Sequence, residues 1–270
     1  MKGIIGAIAG DVIGSAYEFN PTRDYDFDLF TPTSTFTDDT VLTMANAQWL
    51  LEDKQHTREK LVSIMLDYCW KYPDRGYGGR FARWIHDSDP QPYNSFGNGS
   101  AMRVSPVGYY AHSLDEALQL ARISAEVTHN HPEGIKGAQA TAAAIFLARQ
   151  GKSKQEIRDY VTGTFHYDLS RTLDEIRPTF CFDETCQRTV PEAITCFMEG
   201  KDYEDVVRLA VALAGDADTI AAIAGSISSA VDDVPNDIAQ RVISLLSEEF
   251  CAILLRFNEL VSQPQTAAAL

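Results

Sequence analysis

The stretch GAIAGDVIGSAYEF, residues 6–19, indicates how this chain packs. Its glycines Gly6, Gly10 and Gly14 are four residues apart, so they lie on one side of the helix that the apolar run predicts. Each glycine costs about 1 kcal/mol of helix propensity relative to alanine, and in return another backbone or a ligand can approach closely. The stretch GDADTIAAIAGSI, residues 215–227, predicts a second helix with similarly small residues. Tight helix packing is the simpler interpretation; the further hypothesis is that this packing brings acidic helix ends together.

The rest of the chain also favours helices, and no long alternating run predicts a strand. We therefore expect an all-α single domain over residues 1–262, followed by a loose C-terminal tail at 263–270. Two segments without periodicity, 20–36 and 88–100, are predicted to be functional loops. Beyond the helices that begin at the motifs described below, apolar periodicity predicts helices at 114–127, 132–149, 153–162, 190–199, 202–214, 219–231 and 235–258.

Composition excludes some classes of partner. The chain has 270 residues, with 38 Asp and Glu against 23 Lys and Arg, which gives a net charge of −15. Such a charge repels phosphate backbones and anionic membrane surfaces, and no cluster of Lys and Arg offsets it. We therefore expect neither general nucleic-acid binding nor membrane binding.

The cysteines and the N-terminus bear on the compartment. There are five cysteines, an odd number without a zinc-binding spacing, which favours a reduced, intracellular protein. The apolar N-terminus resembles a short signal peptide, but Asp11 interrupts it too early for a secretory segment. No stretch reaches the roughly 18 apolar residues of a spanning helix. The expected location is the cytoplasm.

Two short acidic motifs carry the candidate chemistry. Residues 36–40, FTDDT, and residues 215–219, GDADT, each place two aspartates beside threonine at the start of an apolar helix. Asp and Thr are good helix caps, so one such residue per helix needs no further explanation. Each of these helices starts with two carboxylates, which is more than capping requires, and the flanking apolar sequence predicts that they are buried. Buried carboxylates resist ionisation unless a cation neutralises them, so the pattern indicates a cation site.

The donor types point to a hard cation. Four carboxylates with neighbouring hydroxyls suit Mg²⁺ or Mn²⁺ better than zinc, and they suffice for two ions about 3.5–4 Å apart. The candidate carboxylates are Asp38, Asp39, Asp216 and Asp218. A dinuclear-metal phosphoesterase is one enzyme that such a site would serve.

Other residues are candidates for substrate contacts. Glu18 is predicted to end the first helix, just before the 20–36 loop, as a solvated group or as an acid or base on a movable loop. His129 is a candidate substrate contact or a satisfied loop histidine. The turn Gly97-Asn98-Gly99-Ser100 is typical of loops whose amides face a phosphate. Arg103 is a candidate anion contact or an ion-paired surface residue.

Taken together, the motifs resemble the ADP-ribosylglycohydrolase family, the group of dinitrogenase reductase-activating glycohydrolase and the ADP-ribosyl-acceptor hydrolases. The resemblance implies an all-α, compact, orthogonally packed multi-helix domain with two Mg²⁺ or Mn²⁺ ions. It implies hydrolysis of the bond between C1 of the distal ribose of ADP-ribose and an acceptor, with ADP-ribose as product. The matching blocks, in the family's order, are GAIAGDVIGSAYEF (6–19), FTDDT (36–40), YNSFGNGSAMRVSPVG (93–108), THNHPEGIKGAQA (128–140) and GDADTIAAIAGSI (215–227).

The resemblance also implies roles for individual residues. Glu18 matches a glutamate assigned to acid–base chemistry and metal contact, Asp38 or Asp39 is an alternative for activating water, and His129 matches a histidine that lines the distal ribose pocket. The implied metal ligands are Thr37, Asp38, Asp39, Asp216, Asp218 and Thr219. The implied loop for the diphosphate and adenine contains Ser95, Phe96, Gly97, Asn98 and Gly99, with Ser100 next to it.

The sequence does not decide which acceptor group is linked to the ADP-ribose of the substrate. The loop at 95–99 and Thr219 are more similar to the serine- and O-linked subgroup than to the arginine subgroup. The expected partner is an ADP-ribosylated protein or small molecule, and a monomer is the default for the oligomeric state. A family member that binds ADP-ribose without hydrolysing it is the non-enzyme alternative.

Overall fold

The computed structural model describes residues 1–262 and is built from helices. Within these residues there is no strand, and the single bridge is an isolated one between Gly97 and Thr185. The all-α prediction is therefore confirmed. The fifteen helices are α1 Ile5–Gly14, α2 Asp38–Glu52, α3 Arg58–Lys71, α4 Gly79–Ile85, α5 Gly99–Met102, α6 Ser105–Tyr110, α7 Leu114–Glu126, α8 Pro132–Arg149, α9 Lys154–Phe165, α10 Leu173–Ile176, α11 Cys186–Glu199, α12 Tyr203–Val211, α13 Ala217–Ser228, α14 Asn236–Ile243 and α15 Glu248–Ser262.

The contact between α1 and α13 lies at the centre of the fold, and every residue of both helices is buried. A Cβ atom at Gly10 would lie 2.1 Å from the Ala221 carbonyl oxygen, and one at Gly14 would lie 2.5 Å from the Ala217 carbonyl oxygen. A Cβ at Gly6 would meet the Gly225 carbonyl oxygen at 2.6 Å. The glycine row therefore allows backbone to pack on backbone, as the four-residue spacing predicted.

Several helix boundaries differ from the predictions; the helix predicted at 190–199, for example, begins four residues earlier at Cys186. The region 235–258 is two helices, because the Ser247 hydroxyl accepts from the Phe250 amide at 3.2 Å and starts a new helix. The first helix ends at Gly14, so Glu18 does not end it but lies four residues further on. The predicted tail, 263–270, lies outside the described residues.

A contiguous apolar core contacts helices from α1 to α15. The two segments without periodicity are largely irregular, although Gly99 and Ser100 begin the short helix α5. A search of residues 1–262 finds no helix with the length and hydrophobicity needed to span a bilayer.

Candidate active site

A cavity of about 640 Å³ opens between α2, α4, α5 and α13, with Glu18 from the segment after α1 at its wall. Carboxylates line part of it, and we call this set the acidic side: Glu18, Asp38, Asp39, Asp216 and Asp218. A second set, which we call the glycine-loop side, consists of Tyr93, Ser95, Gly97, Asn98, Gly99, Arg103 and His129. Most of the residues that the sequence selected therefore border one cavity.

The packing of α1 on α13 assembles the acidic side. Gly14, the last residue of α1, lies against the backbone of Asp218 at the start of α13, and Glu18 follows a few residues later. Carboxylate oxygens of Glu18, Asp216 and Asp218 lie within 4.8 Å of one another. The hypothesis that helix packing would bring acidic ends together is therefore confirmed for α1 and α13.

Asp11 holds the third acidic segment in place. Its buried carboxylate accepts hydrogen bonds from the Thr37 amide at 3.0 Å, the Thr37 hydroxyl at 2.8 Å and the Thr40 amide at 3.1 Å, and it also accepts from the Thr40 hydroxyl. These bonds fix the first turn of α2, where Asp38 and Asp39 lie. This role of Asp11 was not predicted, although a lone aspartate within an apolar helix was the available signal.

Hydrogen bonds satisfy the acidic side only in part. Asp39 Oδ2 accepts from the Thr219 hydroxyl at 3.2 Å, but Asp39 Oδ1 is buried without a hydrogen-bond partner. Asp216 Oδ2 accepts from the Asn98 side-chain amide at 2.7 Å, which links the two sides of the cavity. Within residues 1–262, none of these carboxylates forms an ion pair with Lys or Arg.

The carboxyl pKa values reflect this environment. Burial is the largest cause of a rise in the pKa of Asp216 to about 6, and hydrogen bonds from Asp218 and Asn98 lower it in part. Burial, followed by the charges of Asp218 and Asp11, raises the pKa of Glu18 to about 8. Burial and neighbouring carboxylates raise the pKa values of Asp38, Asp39 and Asp218 well above their ordinary range.

These properties fit a divalent cation. Several buried carboxylates that resist ionisation together, and one buried oxygen without a partner, form a hard oxygen donor set that a cation would satisfy. Thr219 also borders the cavity, whereas Thr37 does not, because its hydroxyl turns to Asp11. The donor set therefore suits Mg²⁺ or Mn²⁺ chemically.

The glycine loop uses some of its amides internally. The Gly97 amide donates to Ser95 Oγ at 3.2 Å, and the Asn98 amide donates to the Glu184 carbonyl at 2.7 Å. The Gly99 and Ser100 amides begin α5 and have no acceptor among residues 1–262. Two of the four amides predicted to face a phosphate are therefore occupied, and two remain.

Two of the predicted loop residues do not border the cavity. The Ser100 hydroxyl donates to the Gly134 carbonyl at 2.7 Å and is buried away from it. Phe96 is exposed, and its ring lies 5.3 Å from that of His131 in an edge contact. His131 in turn caps α8, where its Nδ1 accepts from the Glu133 amide. His129 and His131 therefore point to different surroundings.

Arg103 is neither ion-paired nor on the surface. Its guanidinium is fully buried, and Nη2 donates to the Ser124 carbonyl at 2.7 Å and to the Thr128 hydroxyl at 2.8 Å. The surface interpretation of Arg103 was wrong, because the residue follows directly on the buried helix α5. The sequence analysis also missed Arg80 and Tyr93 as cavity residues, and the Arg80 guanidinium lies 4.9 Å from the centre of the Tyr93 ring.

Comparisons with known proteins identify the family of the chain. Residues 1–266 match the family model described as ADP-ribosylglycohydrolase. The chain is 27% identical to human ADP-ribosylhydrolase ARH3 over an alignment of 315 positions, gaps included, which covers 88% of this chain and 87% of that protein. It is 23% identical to ADP-ribosylarginine hydrolase Tri1 of Pseudomonas putida (strain GB-1) over an alignment of 278 positions, which covers 88% of this chain and 72% of that protein.

The fold has a solved counterpart. A structure described as an ADP-ribosylglycohydrolase-related protein complex superimposes with a TM-score of 0.74 at 23% identity, covering 96% of both chains. The family model matches nearly the whole chain, and it includes the five blocks on which the sequence resemblance rested. The chain therefore belongs to the ADP-ribosylglycohydrolase family.

Proposed function

We propose that this protein hydrolyses the bond between C1 of ADP-ribose and an acceptor, using two Mg²⁺ or Mn²⁺ ions at the acidic side of the cavity. The observation that carries the proposal is the convergence of five carboxylates on one cavity, none of which forms an ion pair with a Lys or Arg of residues 1–262. Family membership supports the reaction type. The printed names of the human and Pseudomonas relatives support an ADP-ribosylated substrate.

The acidic side supplies the proposed ligands. Asp38, Asp39, Asp216 and Asp218 would hold the ions with Thr219 and Glu18, and Thr37 stays a predicted ligand on the family's pattern. When bound, the ions supply Lewis acidity for ribose hydroxyls and for a water molecule. Asp11 contributes by fixing the turn that presents Asp38 and Asp39.

The remaining residues bind the substrate and move a proton. The Gly99 amide would donate to the diphosphate, with His129 beside it. As the acceptor leaves, positive charge develops at C1 of the ribose, and the surrounding carboxylates stabilise it. Glu18 would pass a proton to the leaving acceptor, as the family's pattern implies. Asp38 or Asp39 is the alternative base for water.

A substrate panel tests the proposal. Arginine-, serine- and O-acetyl-linked ADP-ribose would each be incubated with the protein in Mg²⁺, in Mn²⁺ and in EDTA, with a phosphodiester in parallel. We expect release of free ADP-ribose from at least one linkage, lost in EDTA and restored by Mg²⁺ or Mn²⁺. The loop 95–99 and Thr219 favour the serine or O-linked substrates.

The other outcomes are equally specific. ADP-ribose binding without turnover of any linkage would identify a binding protein. Phosphodiester cleavage alone would identify a phosphoesterase, and hydrolysis that persists in EDTA would contradict the metal dependence.

A further inference from the structure

We infer that Arg103 and Thr128 hold His129 in the tautomer with its proton on Nε2, so that the ring donates a hydrogen bond to a ligand oxygen in the cavity. Arg103 and Thr128 are then positioning residues, and His129 is a hydrogen-bond donor rather than a base. The identity of the ligand rests on the proposed function, whereas the tautomer does not.

The first step is the direction of the bond between Arg103 and Thr128. A guanidinium has only donors, so Thr128 Oγ1 must accept from Arg103 Nη2 at 2.8 Å. The same Nη2 donates to the Ser124 carbonyl, which fixes the plane of the guanidinium. The Thr128 hydroxyl therefore keeps its own proton for another acceptor.

The second step is the bond between Thr128 and His129. Thr128 Oγ1 lies 2.7 Å from His129 Nδ1, and within residues 1–262 the hydroxyl has no other acceptor. Its proton therefore goes to Nδ1, which must offer a lone pair. A neutral imidazole whose Nδ1 accepts carries its proton on Nε2.

The environment also keeps the ring neutral. Burial, followed by the charges of Arg103 and Arg80, lowers the pKa of His129 well below its ordinary value. Within the described residues, no carboxylate forms a salt bridge with His129. The His129 ring is therefore neutral and carries one proton. Because Nδ1 accepts from Thr128, that proton is on Nε2.

The third step is where the Nε2 proton points. A Cβ built at Gly99 would lie 3.2 Å from His129 Nε2, and one built at Gly97 would lie 3.6 Å from it. Nε2 has no hydrogen-bond partner among residues 1–262, and His129, Gly97 and Gly99 all border the cavity. Nε2 therefore lies next to Gly97 and Gly99 at the wall of the cavity. The group that fits there is an oxygen acceptor of the ligand, either a phosphate oxygen or a ribose oxygen.

The tautomer can be read directly from the protein without ligand. Long-range ¹H–¹⁵N correlation spectra report which ring nitrogen carries the proton, and the His129→Gln variant identifies the His129 signals. We expect a protonated Nε2 and an unprotonated Nδ1 at neutral pH. A proton on Nδ1, or a charged ring, would overturn the inference.

A matched pair of variants tests the positioning role. Thr128→Val removes the hydroxyl, and Thr128→Ser retains it. We expect the valine variant to show mixed tautomers and to bind ADP-ribose about fivefold more weakly, the effect of one hydrogen bond, while the serine variant keeps the native spectrum and affinity. A valine variant with native tautomer and affinity would contradict the inference.

A comparison of ADP with ADP-ribose separates the two possible acceptors. If Thr128→Val lowers the affinity for both ADP and ADP-ribose, the hydrogen bond goes to a phosphate oxygen. If it lowers the affinity for ADP-ribose alone, the bond goes to the distal ribose. If ADP-ribose binds neither the native protein nor the variants, the proposed function fails. The spectra of the ligand-free protein would still decide the tautomer.

Discussion

The two sides of the cavity carry opposite charges and bury them in different ways. The acidic side gathers carboxylates with raised pKa values, and no Lys or Arg in the described part of the chain pairs with them. On the glycine-loop side, neutral oxygens of Ser124 and Thr128 hold the single guanidinium of Arg103. Burial lowers the pKa of Arg103 to about 10, which still leaves it charged at neutral pH. The charge on the acidic side is therefore variable, while the charge of Arg103 is fixed.

This difference separates two tasks. A variable charge responds to cations and to pH, because like carboxylates in a buried place ionise together only when a cation is present. A fixed charge orients its neighbours without such a response. Variants on the acidic side should therefore depend on metal and pH, and variants around Arg103 should not.

The largest effect is expected from removing a carboxylate of the acidic side. Asp216→Ala should lower turnover of the ADP-ribosyl substrate about a thousandfold, because lost metal coordination removes several kcal/mol of transition-state stabilisation. Thermal unfolding should show an intact fold. Glu59→Ala, which removes an exposed carboxylate from α3, is the control and should be fully active. Native turnover in Asp216→Ala would contradict the role of the acidic side.

The next largest effect concerns the helix contact that assembles the acidic side. Gly10→Ala should lower the free energy of unfolding by about 3 kcal/mol, because its Cβ would overlap the Ala221 carbonyl and force α1 and α13 apart. Gly163→Ala in α9 is the matched control, since its Cβ would meet nothing within 4 Å. The control should stabilise the protein by up to about 1 kcal/mol. Equal stability of both variants in urea unfolding would mean that the glycine row is not needed.

Glu18 gives a smaller but more specific effect. Glu18→Gln should slow turnover about a hundredfold, the usual contribution of one general acid, and should leave ADP-ribose affinity unchanged in calorimetry. Unchanged turnover on the best substrate of the panel would exclude Glu18 as the proton donor and favour Asp38 or Asp39.

The smallest effect is the pH dependence of stability without metal. A carboxyl whose pKa is raised on folding stabilises the fold fully only below its unfolded pKa, and this contribution is lost as the pH rises through the folded pKa. The window runs from about 4 to about 6 for Asp216 and about 8 for Glu18. The Tm of EDTA-treated protein should therefore fall by about 5 °C between pH 5 and 8.

Metal should suppress this fall. Mg²⁺ or Mn²⁺ should flatten the pH profile, and Asp216→Asn should reduce its slope without metal. A Tm in EDTA that rises over the same range would contradict the assignment of raised pKa values to the acidic side. Thr128 contacts His129 and Arg103 of the glycine-loop side, so Thr128→Val should leave the pH profile of the Tm unchanged.

Much of the fold and half of the site follow from local sequence. The spacing of Gly6, Gly10 and Gly14 predicted the contact of α1 with α13, and the paired aspartates predicted the acidic side. Both patterns could be recognised because their residues are at most four positions apart in the sequence. The role of Asp11 did not follow, since its partners Thr37 and Thr40 are 26 and 29 residues away.

The glycine-loop side was harder to predict for the same reason. Its arrangement depends on how α5 meets the end of α7, where Arg103 reaches Thr128 from 25 residues away. A hydrophilic residue such as Arg103 gives no local signal that it is buried, and the amide of Asn98 is occupied by the Glu184 carbonyl, which only the tertiary structure brings near.

The central claim is that the acidic side is a divalent-metal site, and Mn²⁺ binding tests it most directly. Metal-free protein would be titrated with Mn²⁺, with free ion followed by electron paramagnetic resonance, in parallel with Asp216→Ala and Glu59→Ala. We expect two Mn²⁺ ions per chain in the native protein and in the Glu59→Ala control, and loss of binding in Asp216→Ala. A native protein that binds no Mn²⁺, or an Asp216→Ala variant that binds it as well as the native protein, would contradict the account.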